Sequence, residues 1–238
     1  MRISEGFLQR LISTSQFLES LTLDYASTML EICGSPSLKL LAIENCKGLQ
    51  EIDVPNLVSL KYDGDEIPEL KVAKRCRQLK KSQLCLDSLK ILNAEWFDEL
   101  RKFLSKSSSW SLVSLTFEEC SEINMKDLAL HHTVATPKVN DLFICIESSD
   151  KCPTLLVDAL LWSCHPKRLV LKSSIEMISC FMDRLIYMKN SPCHESKRHK
   201  YSQLKQVKVS KFDLEYQCVE LESGELAEMK AISFELYW

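Results

Sequence analysis

One phrase recurs along the chain: an apolar residue, two positions of any kind, a second apolar residue, one more position, and a third. Its clearest copies are Leu18, Leu21 and Leu23; Leu38, Leu41 and Ile43; Leu57, Leu60 and Tyr62; and Leu112, Leu115 and Phe117. The last two residues of each copy are separated by one position, the side-chain period of a strand that buries one face and shows the other. Recurrence of that strand predicts a solenoid in which each rung covers the apolar face of the one before it.

Taking the middle residue of each phrase as a marker gives Leu21, Leu41, Leu60, Leu92, Leu115, Leu142, Leu169, Val207 and Ile232, with a mean interval of about 26 residues, inside the leucine-rich-repeat range. Helical spacing follows several of these strands. Trp96 to Leu104, Leu155 to Trp162 and Ile175 to Met188 each read as a helix, and residues 6–12 form an amphipathic opening helix. The expectation is an α/β leucine-rich-repeat solenoid over residues 1–238, with a curved parallel sheet on the concave side and irregular helices on the convex side. Phe7, Leu8 and Leu11 are expected to close its first end, and Phe234, Leu236, Tyr237 and Trp238 its last. Ser191 to Ser202, polar and carrying Pro192, reads as an exposed excursion.

Composition narrows the functional classes. A hydrophobic fraction of 45% supports a continuous core, and 30 basic against 33 acidic residues supply no broad field for nucleic acid. No apolar run reaches the roughly 20 residues that cross a bilayer, and Met1 to Glu5 lacks the apolar stretch of a signal peptide. The expected location is cytoplasmic, nuclear or both. Eleven cysteines in that setting read as reduced thiols; Cys46 and Cys120, just past a strand phrase, suit buried positions.

The second phrase, extended through Cys46 and Leu49, the segment Leu155 to Trp162 followed by Ser163-Cys164-His165-Pro166-Lys167-Arg168-Leu169-Val170-Leu171, and Ser191-Pro192-Cys193 leading to Leu204-Lys205-Gln206-Val207-Lys208-Val209 together resemble plant F-box/leucine-rich-repeat proteins. The likeness is strongest to members with an FBD-type C-terminal region, here residues 150–238. The resemblance implies the substrate-recognition part of a Skp-cullin-F-box ubiquitin ligase, whose F-box docks the Skp adaptor, which joins the cullin, while the repeats select a protein. The Leu-Pro-rich F-box segment expected ahead of the repeats is not recognisable in this sequence, so Skp adaptor and cullin are expected partners only where an F-box precedes it. The alternative is a repeat-only binding or competitor protein.

On such strands the positions between and just after the inward residues face the concave side. Asp24, Glu44, Lys61, Asp63, Glu118, Lys172 and Lys208 are the charged candidates for partner contact, alongside Thr22, Ala42, Thr116, Phe143, Cys145, Val170 and Ser210. They equally read as a solvated surface. Early positions are acidic and late ones basic, which predicts charge polarity along the curve. Two basic clusters, Lys71 to Lys81 and Lys197 to Lys200, read as ordinary surface before phosphate contacts or an import signal. No metal ligands are assigned: His131, His132, Cys145, Cys152, Cys164 and His165 form no Cys-x-x-Cys unit. No catalytic or cofactor residue is assigned either. Cys164 beside His165 lacks a third member, and Glu118 and Glu119 would point to opposite faces of a strand.

Overall fold

The computed structural model describes residues 10–12, 14–24, 30–45, 49–70, 79–89, 93–107, 110–118, 135–147, 154–190, 204–211 and 230–238. Its first half is built from alternating short strands: β1 (Ser20–Asp24), β2 (Leu30–Cys33), β3 (Leu40–Glu44), β4 (Leu49–Asp53), β5 (Ser59–Gly64) and β6 (Glu69–Leu70). After these come β7 (Lys81–Leu89), helix α1 (Ala94–Leu104), β8 (Trp110–Phe117), β9 (Lys138–Ile146), α2 (Thr154–Ser163), β10 (His165–Ser173), α3 (Ile175–Asn190), β11 (Gln206–Lys211) and β12 (Lys230–Tyr237). The fold is α/β, with a nine-stranded, mostly parallel sheet in the order β1-β3-β5-β7-β8-β9-β10-β12-β11 and a three-stranded sheet, β2-β4-β6.

Leu21, Leu41 and Leu60 stand level in three adjacent strands. Their row does not continue into the next phrase. It passes through Ser82 and Trp110 to Val139, whereas Leu115 is level with Leu86, which is level with Gly64. The main apolar row is Leu23, Ile43, Tyr62, Leu84, Val113, Leu142, Leu169 and Phe234, every member buried. The empty place at Gly64 has a steric cause: a Cβ there would run into the Tyr62 hydroxyl, because that ring lies along the same face two residues earlier.

Different covers lie over the apolar face in the two halves. In the first, the smaller sheet carries Ile32 level with Ile52, both fully buried. In the second, helices do this work. Asn93 caps α1 by accepting from the Trp96 amide at 2.8 Å, Glu95 lies in the first turn and Arg101 and Lys102 in the last, an arrangement that suits the helix dipole. Phe97, Leu100, Phe103 and Leu104 form its buried stripe. Helix α2 is apolar around most of its circumference, as fits its place between α1, α3 and β10. Arg101 ties α1 to α2, donating to the Trp162 carbonyl at 3.0 Å with its guanidinium 4.3 Å from the Trp162 ring centre. Arg184 ties α3 to α2 through a two-point contact with Asp158, Nε to Oδ1 at 2.7 Å.

The sequence reading departs from this arrangement at several points. The strand that follows β5 in the large sheet is β7, which begins at Lys81, the last residue of the first basic cluster; Leu92, the marker expected for this strand, lies outside the described residues. The second sheet replaces outer helices in the first half, where segments of four, five and two residues are too short for stable helical turns. The last two strands exchange places: β12 lies between β10 and β11 and runs antiparallel to both. Phe234 and Leu236 are therefore interior, while Tyr237 is 41% exposed. Trp238 packs against the start of β10, its ring stacked on His165 at 4.2 Å and its indole N–H donating to the Pro166 carbonyl at 2.8 Å. Phe7, Leu8, the Ser191–Ser202 stretch, Cys46 and Cys120 lie outside the described residues. Among the described cysteines, Cys33, Cys85, Cys145 and Cys164 are free. Cys180 is disulfide-bonded, which corrects the expectation of reduced thiols at that position.

Candidate functional site

Side chains alternate across a strand, so residues between the buried ones form a second set of rows on the opposite face of the large sheet. One row runs Thr22, Ala42, Lys61, Gln83, Leu112, Asp141, Arg168, Glu235 and Lys208. Along the next, Asp24 is level with Glu44, and Asp63 is level with Cys85, Ser114, Phe143, Val170, Ser233 and Ser210. Strands lie about 4.8 Å apart, so these rows hold functional groups at a regular spacing that the backbone ladder enforces.

Acidic groups gather over the first four rungs. Lys61 Nζ donates to Glu44 Oε1 at 2.6 Å, Asn45 donates to Asp24 Oδ1 at 3.3 Å, and the Thr116 hydroxyl donates to Asp87 Oδ1 at 2.9 Å. The Asp63 carboxyl is pushed above its usual range by burial first, then by the negative charges of Asp87 and Glu44. Cys85 is pushed up to about 12, again by burial first and then by Asp63 and Asp87. Lys61 is raised by its hydrogen bond to Glu44. Four carboxylates and one lysine thus define a negative region at the end of β3 away from Leu40, which is 48% exposed on the same face.

The later candidates divide. Lys208 is exposed and its ammonium lies 5.3 Å from the Tyr237 ring centre. Arg168, which sequence reasoning did not select, pairs with Asp141 at 2.7 Å. Glu118 is half-buried just beyond the last β8–β9 pair. Cys145, Val170 and Lys172 are buried, with 4%, 3% and 6% of their surfaces exposed, so this part of the face differs from the open, acidic part. Asp87 and Gln83 were missed because the phrase has Ser82 in a leucine place. The alternation of Ser82, Leu84 and Leu86 was nevertheless available as a strand signal.

Burial holds Cys164 un-ionised, with its thiol pushed up to about 12. His165 is lowered to about 4 by burial, then by Arg101 and Lys138, and its ring face is taken by Trp238. A nucleophilic thiolate with a proton-accepting partner needs the opposite conditions. Among the described residues no three His, Cys, Asp or Glu side chains are grouped to hold a metal, and no helix is long and apolar enough to cross a membrane. His131, His132, Cys152 and most of both basic clusters lie outside the described residues; Lys80 and Lys81 lead into β7. Comparison of the chain with protein-family models, curated proteins and solved structures finds no match.

Proposed function

We propose that this chain is a non-catalytic protein-recognition scaffold of the leucine-rich-repeat type, its residues 150–238 corresponding to an FBD-like end, and that it serves as the substrate-recognition region of an F-box ubiquitin ligase subunit. The observation that carries the reading is the ladder of in-register side chains opposite the core, where Asp24, Glu44, Asp63 and Asp87 crowd over consecutive rungs. Holding carboxylates near one another costs free energy through repulsion, and a basic protein segment relieves it on binding. Complementary charge sets partner choice and encounter rate, and an apolar contact at Leu40 adds burial. The Skp adaptor and cullin join only where an F-box precedes the repeats; the bound protein is the substrate.

The test is affinity capture with the chain and with a variant carrying Asp24→Lys, Glu44→Lys and Asp87→Lys together, with circular dichroism as the fold control. The wild type is expected to retain a partner with a basic contact surface, and the folded variant to lose it. Equal capture by both removes the recognition face. Skp adaptor and cullin recovered with the chain support the ligase role; a basic partner recovered without them leaves a repeat-only binding or competitor protein.

A further inference from the structure

Lys172 has an environment unlike that of the other described lysines. A lysine is almost never fully buried unless its ammonium is paired. Lys172 is 6% exposed, yet it forms no hydrogen bond or ion pair among the described residues. Its level neighbours are Cys145 on β9 and Ala231 on β12, both buried and neither hydrogen-bonded to its ammonium. Ser233, diagonal to it on β12 and level with Val170, is 4% exposed and its hydroxyl likewise bonds to no described residue. Neither polar atom is among those sealed from solvent without a partner, as Ser82 Oγ is, so both keep a path to it.

We propose that Lys172 and Ser233 form a niche for a single oxyanion, a carboxylate or a phosphate group. An ammonium with most of its surroundings taken from water, left in contact with solvent through a narrow opening and bonded to no protein acceptor, is a ready partner for an anion. An oxyanion supplies the missing charge, accepts from the ammonium, and has a second oxygen for the Ser233 hydroxyl, giving the short, charge-assisted bonds that such groups form. The niche is independent of whether the acidic rows of β1 to β7 bind a partner.

The full chain is titrated with sodium acetate and, separately, inorganic phosphate at constant ionic strength, following the melting temperature and the rate of Lys172 acetylation by mass spectrometry. Binding to the folded state raises the melting temperature and protects Lys172. Lys172→Met is expected to lose the response, and Ser233→Ala to weaken it by about tenfold, the scale of one hydrogen bond to a charged group. A stronger acetate response assigns a carboxylate source such as an acidic side chain, and a stronger phosphate response assigns a phosphate source. No protection of Lys172 in the wild type overturns the proposal, as does an equal melting response in Lys172→Met, which leaves an adventitious ion only. Should Lys172→Met not fold, Lys172→Arg and the site-resolved protection in the wild type decide the question.

Discussion

Two buried serines allow the packing argument to be tested by sign. Ser82 occupies the row between Leu60 and Trp110, is fully buried, and its hydroxyl has no hydrogen-bond partner. Ser107 is 7% exposed, but its hydroxyl donates to the Leu79 carbonyl at 2.8 Å. Truncation to alanine removes the same atom from both. At Ser82 it removes an unsatisfied polar group whose desolvation costs about 1 to 3 kcal/mol, so Ser82→Ala is expected to stabilise by roughly 1 kcal/mol after the small loss of strand propensity and packing. At Ser107 it deletes a bond and orphans a carbonyl, so Ser107→Ala is expected to destabilise by about 1 kcal/mol or more. For a chain of this size each kcal/mol moves the melting temperature by roughly 2 to 4 °C, within reach of calorimetry and urea titration. Ser114→Ala, on the opposite face and half-buried, serves as a near-neutral control. Destabilisation of both buried variants by the same amount would refute the placement of Ser82 in an apolar row.

Three further outcomes are expected. Gly64→Ala pushes a methyl group against the buried Tyr62 ring and is expected to cost about 1 to 3 kcal/mol in urea unfolding; an unchanged midpoint would show that the ring yields freely. His165, lowered to about 4 in the fold against about 6.5 unfolded, takes up its proton first in the unfolded chain. Its contribution is therefore fully present above about pH 6.5 and is lost as pH falls toward 4, and urea titrations across that window should show a shallower slope for His165→Asn than for the wild type. Cys164, fully buried, is expected to react with a disulfide reagent only as fast as the chain unfolds, whereas half-buried Cys33 reacts from the native state; peptide mapping after timed labelling separates the two, and matched rates would contradict the burial.

The amino-acid order by itself determined the local period. Leu21 with Leu23, Leu41 with Ile43 and Leu60 with Tyr62 mark strands because a two-residue apolar repeat has few other uses, and the three helices follow from the spacing of apolar residues within each segment. The acidic positions Asp24, Glu44 and Asp63 were legible for the same reason: alternation puts them opposite the buried set. Only the tertiary structure decided what stands level with what. Ser82 takes a leucine place because its neighbours supply the apolar surroundings, and Gly64 is empty because Tyr62 fills its space. β12 enters between β10 and β11 because strand pairing is settled by backbone hydrogen bonds between segments distant in sequence, to which local periodicity is blind. Burial of Lys172 has that origin too, since how much water reaches a side chain depends on neighbours that its own strand does not specify.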